Sequence, residues 1–384
     1  MKAGWRTEIL GNLCDILDSQ RKPITKSDRT AGKYPYYGAT GIVDYVDSFI
    51  FDEPLVLVGE DGAKWASGEN TAFAVEGKCW VNNHAHVLRP NRASILDNWI
   101  IHFLVHSDLS GFVSGLTVPK LNQGNLREIP IPVPPLAEQK RIVTLLDEAF
   151  AHITTAKANA EQNLQNARAL FDSHLQSVFS RREHGWIEKR FGDLATFRNG
   201  VNFTKSSKGQ SLEIVGVKDF QKHFWAPTAD LDVVTIEGEL PDSDLLAEND
   251  ILFVRSNGNP ELIGRCLLIG AGSGATTFSG FTIRARLNDS SVKPVYLCHF
   301  LKSKKARRTM IDGGNGVNIR SLNQGTLSNL VIPFPSATVQ TKIVRQLEKL
   351  SAQTQRLESI YQQKLSALGA LKKSLLHQAF SGQL

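Results

Sequence analysis

The sequence predicts an α+β protein: two tandem mixed α/β domains, separated by two long antiparallel coiled-coil helices, with internal pseudo-twofold symmetry. Three observations predict it. Val118 to Ser180 returns without a gap as Ile319 to Ser381, and a third of the aligned positions are identical. Each copy of that stretch carries a long proline-free segment with heptad spacing. In front of each lies a region of short apolar alternations broken by Gly, Asn, Asp and Pro, the pattern of strands and turns.

The duplication also reaches upstream. Trp5 and Leu10-Gly11-Asn12-Leu13 correspond to Trp186 and Phe191-Gly192-Asp193-Leu194, and Leu121-Asn122-Gln123-Gly124 to Leu322-Asn323-Gln324-Gly325. Between these ends Asp61-Gly62 aligns with Asn257-Gly258, and His102-Phe103-Leu104 with His299-Phe300-Leu301, so insertions are confined to the front of each copy. A repeat this long is a domain plus a helix, not a solenoid unit. The resulting segments are 1–135, a first domain; 136–180, a central helix; 181–336, a second domain; and 337–384, a C-terminal helix.

In the first domain, Phe49 to Gly59, Asn70 to Val75 and His84 to Arg89 read as strands; in the second, Ile251 to Val254 and Arg265 to Ile269 do. A short helix follows in each, over Leu96 to His106 and over Val295 to Arg308. The expected sheet is strongly twisted and mostly antiparallel. Each domain closes on a proline-rich strip, Ile129 to Pro135 and Val331 to Pro335. Proline fixes φ and lacks an amide donor, so these strips are extended boundaries and not helix interior.

The long helices follow. Apolar residues fall at Ile142, Leu146, Ala149, Ile153, Ala156, Ala160, Ala167 and Leu170, and again at Ile343, Leu347, Leu350, Leu357, Tyr361, Leu368, Leu371 and Leu375. Steps of three and four sustained this far are the coiled-coil rule, and at 1.5 Å per residue each helix is roughly 65 Å long. Such a stripe needs cover. Its own duplicate supplies it if the helices pair antiparallel, through Ile142, Leu146, Ile153 and Leu170 on one and Ile343, Leu347, Leu357, Leu368 and Leu371 on the other. The competing arrangement packs each helix on its own domain or on another chain.

Composition narrows the partners. The chain has 384 residues, enough for two domains each with its own core. Its 44 basic and 38 acidic residues leave +6, a modest excess that fits a phosphate-bearing partner. Cys14, Cys79, Cys266 and Cys298 are scattered without C-x-x-C spacing, which points to neither a zinc site nor a disulfide framework. No stretch approaches the roughly 20 apolar residues of a membrane span, and the amino terminus lacks a signal-peptide core. A cytoplasmic protein with no membrane partner is expected.

Four catalytic or cofactor signals fail on context. Gly270 to Ala275 offers G-x-G-x-x-A, but Thr276 to Leu287 alternates like a strand where the cofactor fingerprint needs a helix. His84 and His86 share a strand face without a third ligand, so a structural histidine is favoured over a metal site. Asp147-Glu148-Ala149-Phe150 lies in a heptad helix, and no phosphate loop occurs. Asn259-Pro260-Glu261 lacks the aromatic residue that a base-flipping methyltransferase motif would use. The expectation is a chain with no catalytic residues, no metal and no cofactor of its own.

The blocks LNQGNLREIPIPVPPLAEQKRIV at Leu121 to Val143, VRSNGNPELIGRCLL at Val254 to Leu268 and SLLHQAFSGQL at Ser374 to Leu384 resemble the specificity subunit of type I restriction-modification systems, over the whole chain. The resemblance implies two target-recognition domains, each reading half of a bipartite double-stranded DNA sequence. It implies helices gripped by two methyltransferase subunits, which bind S-adenosylmethionine and modify adenine, and a further partner in the restriction/translocase subunits. It also implies that the chain is not itself an enzyme. A coiled-coil scaffold with two protein-binding domains is the rival reading.

Polar and basic residues at turns are the DNA-binding candidates, because loops carry contacts while strands carry packing. They are Lys33, Tyr36, Tyr37, Lys64, Trp65, Asn82, Asn83 and His84 in the first domain, and Lys205, Lys208, Arg255, Ser256, Asn257 and Arg320 in the second. Asn suits adenine, and Lys or Arg suits guanine or phosphate. Tyr36, Tyr37 and Trp65 are equally consistent with core aromatics, and Arg255 with a local ion pair to Glu261. The run Lys302, Lys304, Lys305, Arg307 and Arg308 reads as a phosphate-facing or solvated helix face.

Overall fold

The computed structural model describes residues 4–115, 117–181, 185–204, 206–221, 223–272, 275–312 and 321–384. They form two compact units, Met1–Gln162 with Gln362–Leu384, and Asn163–Tyr361. The long helices Leu136–Ser180 and Ala337–Ser381 are therefore shared between the units, each dividing near its middle, and are not bodies of their own.

Several small sheets build each unit, in place of the single twisted sheet the sequence suggests. In the first, Leu55–Gly59 is the inner strand of an antiparallel set with Ala85–Pro90 on one side and Ala72–Val75 on the other, and Cys14–Ile16 completes it. A second four-stranded sheet contains the parallel pair Ala31–Gly38 and Lys78–Val81. In the second unit, Ile251–Val254 lies between Thr282–Leu287 and Cys266–Leu268. There too a smaller sheet carries a parallel pair, Ser211–Val215 with Thr276–Phe278. Every residue of Leu55–Gly59 and of Ile251–Val254 is buried, which is why both read as continuous apolar runs without alternation.

The proline-rich strips are strands in two-stranded ribbons. Pro130–Val133 pairs antiparallel with Arg6–Ile9, and Val331–Phe334 with Ile187–Arg190. A ribbon this narrow tolerates proline, because an edge needs only part of its amide donors. The first short helix is Asp97–His106, as the sequence suggests to within a residue. Its counterpart is two helices, Pro294–Lys302 and Lys304–Asp312, broken at the buried Ser303. The Ser303 hydroxyl accepts from the Ala306 amide at 3.3 Å, so the break is a capped restart.

Within the first unit the two helix segments run antiparallel: Arg141 donates to the Leu384 carbonyl at 2.9 Å, while Lys372 lies 5.0 Å over the Phe150 ring. Within the second they do so again, with Arg168 Nε 2.9 Å from Glu358 Oε2 and Leu175 and Phe179 in one cluster with Ile343 and Leu347. The first unit's core uses the duplicate set, Ile142 and Leu146 with Leu376 and Phe380. Phe380 packs edge-on to Trp99 at 4.9 Å, as Phe179 does to Tyr296 at 5.5 Å. Trp99 Nε1 donates to the Pro132 carbonyl, and Tyr296 Oη to that of Pro333, so the duplicated cores agree down to one polar contact.

The helix stripe departs from the sequence reading at three places. Ile142, Leu146, Ile153, Ile343 and Leu347 are buried and Leu368 is half-buried, but Leu170, Leu357 and Leu371 are exposed. Phe171 takes the inward position beside Leu170, Glu358 the one beside Leu357, and Lys372 the one beside Leu371. The stripe passes through buried Thr354, whose hydroxyl is satisfied by the Leu350 carbonyl at 3.0 Å. Following leucines alone shifts the phase by one residue there, about 100° of helix.

Candidate nucleic-acid interface

At one end of an antiparallel strand pair, Leu55–Gly59 with Ala85–Pro90 in the first unit and Ile251–Val254 with Thr282–Leu287 in the second, each unit gathers four segments by the same hydrogen bonds. In the first, Gly59 opposes Ala85, and the next pair continues the ladder: the Glu60 amide donates to the His84 carbonyl at 2.9 Å. The Leu121 amide donates to the Glu60 carbonyl at 2.9 Å, and Gln123 Nε2 to Asp18 Oδ2 at 3.3 Å. In the second, Val254 opposes Thr282 and the Arg255 amide donates to the Phe281 carbonyl at 2.8 Å. There the Leu322 amide donates to the Arg255 carbonyl at 2.8 Å, and Gln324 Nε2 to Asn199 Oδ1 at 3.1 Å.

The repeated Leu-Asn-Gln-Gly thus ties a loop to the end of this strand pair in both units. Its asparagine caps a short helix each time, Asn122 Oδ1 accepting from the Asn125 amide and Asn323 Oδ1 from the Thr326 amide, both at 2.8 Å. On this shared backbone the side chains differ: Asp18, Glu60 and His84 in one unit, Asn199, Arg255 and Phe281 in the other. The ladder equates Asp61 with Ser256, one residue away from the Asp-Gly to Asn-Gly alignment of the sequence.

In the first unit this end is an ionic network around the buried Glu60 and His86. Glu60 pairs with Arg21 at 2.5 Å and with Lys120 at 2.8 Å. The fully buried His86 has Nδ1 2.6 Å from Asp18 Oδ2 and Nε2 2.6 Å from the Leu121 carbonyl. Burial pushes the Asp18 and Glu60 carboxyls upward. The hydrogen bonds and charges around them, from His86 at Asp18 and from Lys120 and Arg21 at Glu60, outweigh burial and hold both below the ordinary carboxylate range.

Asp18, Glu60 and His86 present ligand atoms close enough to hold a metal ion. Those atoms are already engaged by Arg21, Lys120, a main-chain carbonyl and one another, so the donor set fits a charge-compensated network better than a cation site. His84, by contrast, is exposed and bonded through Nδ1 to Asp61.

The remaining candidates separate by burial. Tyr36 is 1% exposed, with its hydroxyl accepting from the Ile24 amide at 3.0 Å and Arg29 stacked over its ring at 4.4 Å. It is a core residue, because position 36 faces inward on its strand. Asn82 is likewise buried, its side chain accepting from the His84 amide at 2.8 Å and shaping that turn from within. Neither can meet DNA directly. Tyr37 packs against Phe73 and the core, and half-buried Trp65 donates to the Gly59 carbonyl at 3.2 Å, so both take the packing role.

Lys33, Lys64, Asn83 and Lys208 are exposed, and Arg255, Ser256 and Asn257 are half-buried at the end of the strand pair. Among the described residues no ion pair joins Arg255 to Glu261; the Glu261 carbonyl instead accepts from Arg265 and Arg307. Lys302 is likewise structural, donating to the carbonyls of His223 and Cys266 at 2.8 Å, whereas Lys304, Lys305 and Arg308 are exposed. Lys205 and Arg320 lie outside the described residues. Sequence reasoning missed Phe281, whose ring is 62% exposed, because an apolar residue in a strand-rich segment reads as core.

A family model for the type I restriction modification DNA specificity domain matches residues 2–165 and again 183–366. The chain belongs to that family. It is thereby a DNA-recognising, non-catalytic component of such a system. A putative type I restriction enzyme specificity subunit of Haemophilus influenzae is 37% identical over 142 residues, 37% of this chain and 36% of that one. This chain therefore aligns with about a third of that relative's length. The EcoKI specificity subunit of Escherichia coli is 27% identical over 87% of this chain and 75% of its own.

Two solved structures share the fold. One, from work on complex assembly and conformational transition of the type I R-M system, has a TM-score of 0.78 at 17% identity, covering 100% of this chain and 99% of that one. The HsdS subunit of Thermoanaerobacter tengcongensis gives 0.58 at 18% identity, covering 100% and 98%. Among the described residues no helix is long and apolar enough to cross a membrane.

Proposed function

We propose that this chain reads an asymmetric bipartite DNA target, one half-site per unit, and positions two methyltransferase subunits and the restriction/translocase subunits on it. One observation carries the reading: both units hold the same hydrogen-bonded end of a strand pair, yet present Asp18, Glu60 and His84 in one and Asn199, Arg255 and Phe281 in the other. A common frame with exchanged side chains suits two readers of different sequences. Exposed Lys33, Lys64, Asn83 and His84 supply contacts in the first unit, and Lys208, Arg255, Ser256 and Asn257 in the second, with Lys205 and Arg320 as further cations. Phosphate contacts fix register while base-edge contacts specify.

The long helices offer the partners a surface common to both copies, and S-adenosylmethionine belongs to the methyltransferase subunits. The four buried free thiols suit a reducing cytoplasm. Methylome sequencing of a host carrying the chain with its neighbouring methyltransferase gene, against one lacking the chain, tests the proposal. A new asymmetric bipartite adenine motif is expected. Assembly of the complex with no new motif would favour a protein-binding scaffold.

A further inference from the structure

We infer that Arg255 and Phe281 form the specificity-determining pair of the second unit, and that its half-site contains a guanine next to a thymine. The inference rests on the proposed function and deepens it. Phe281 is the most exposed aromatic side chain among the described residues of that unit, at 62%. An apolar ring held in water contributes nothing to the core, and it gains nothing from a phosphate.

Its backbone is fixed. The Phe281 carbonyl accepts from the Arg255 amide at 2.8 Å and the Ser256 amide at 3.4 Å, and its own amide donates to Ser279 Oγ at 3.3 Å. The Thr282 hydroxyl donates to the Ser279 carbonyl at 2.6 Å, and the Gly280 amide to that of Val201 at 2.7 Å. The ring is thus presented by a locked turn, which lowers the cost of ordering it on a ligand.

Arg255 stands just past the end of the antiparallel ladder, whose last pair is Val254 with Thr282, and its amide ties it to Phe281. A main-chain bond at the ladder end keeps the two residues neighbours at a spacing on the order of 5 Å, comparable to the roughly 3.4 Å step between stacked base pairs. Among the described residues its guanidinium has no ion-pair partner. Arginine donates bidentately to guanine O6 and N7, and an apolar side chain recognises the thymine methyl, both in the major groove. At the equivalent position of the first unit Glu60 is held by Arg21 and Lys120, and His84 by Asp61, so that unit lacks this chemistry.

The test uses the full chain assembled with its methyltransferase partners, and selection from a duplex library randomised at every target position. The parent should select a guanine beside a thymine in one half-site. R255A should lose roughly 10- to 100-fold of the preference for that guanine, with R255K retaining part of it. Replacing the thymine by uracil removes only the methyl group. It should weaken the parent roughly fourfold and leave F281A unaffected, a comparison that does not depend on how well the variant folds. The other half-site should be unchanged in every variant. If the parent shows no sequence preference in either half, the proposed function itself fails. If the parent is bipartite but R255A and F281A weaken all sequences equally, or the uracil effect persists in F281A, the pair does not read bases and this inference fails alone.

Discussion

Replacing Gln139 or Gln340 by alanine should loosen one junction between a globular part and its long helix while leaving the other intact. Both side chains are fully buried and both make the same three hydrogen bonds. Gln139 Oε1 accepts from the Leu96 amide at 2.9 Å, and Nε2 donates to the carbonyls of Ser94 at 2.9 Å and Pro134 at 2.8 Å. Gln340 does this for the Lys293 amide and the Ser291 and Pro335 carbonyls, each at 2.8 Å. One amide side chain thus joins the long helix, the proline-rich strand and the start of the short helix. Truncation orphans a buried amide at about 1–3 kcal/mol and removes two further bonds at about 1 kcal/mol each, or roughly 3–5 kcal/mol together.

Amide hydrogen exchange reads this locally. Leu96 should lose protection in Q139A by at least about a hundredfold, since 1.4 kcal/mol is about tenfold, while Lys293 keeps it; Q340A should show the converse. Q139E should also destabilise, because a carboxylate can accept from Leu96 but has no proton for two carbonyl oxygens unless it takes one up. Exchange at Leu96 changing less than about tenfold in Q139A, or both amides responding equally, would refute the clamp.

Two further outcomes follow from the packing. Burial pushes the pKa of His299, which is 4% exposed with Nε2 unpartnered among the described residues, down to about 4. Between that value and an unfolded value near 6.5 the unfolded chain holds the proton and the folded chain does not. The second unit should therefore lose about 2 kcal/mol between about pH 7 and about pH 5; H299F should flatten that loss in denaturant titrations, and an unchanged slope would contradict it. On the C-terminal helix, L371K should cost under about 0.5 kcal/mol and L376K at least about 3 kcal/mol in thermal unfolding, because Leu371 is 47% exposed and Leu376 2%; equal costs would move the stripe back to the leucine phase.

Much of this fold was legible because it is written twice. A heptad helix without proline needs no tertiary information to be seen, and the proline strips mark where it begins. Phase was harder. Thr354 and Glu358 occupy inward positions that a leucine count passes over, and Ser303 hides a helix break behind continuous apolar spacing. The candidate site is legible at its turns, where the sequence offers Arg255, Asn83 and His84 as candidates, but not in its interior. Asp18, Arg21, Glu60, His86 and Lys120 meet only after folding, and no local spacing announces them. Tyr36 and Asn82 have the chemistry of DNA contacts but are buried: the Tyr36 hydroxyl bonds to Ile24, and Asn82 shapes the His84 turn from within. Phe281 was passed over for the opposite reason, an apolar side chain whose exposure only the fold reveals.

The proposed function requires one chain to read two unlike half-sites at a fixed interval. Once the motif is known, affinity of the assembled complex should be measured on duplexes with either half scrambled, with the interval resequenced at constant length, and with the interval changed by a base pair or two. Binding should be lost when either half is scrambled or the interval length changes, and kept when only the interval sequence changes. Undiminished binding with one half scrambled, or indifference to interval length, would contradict it.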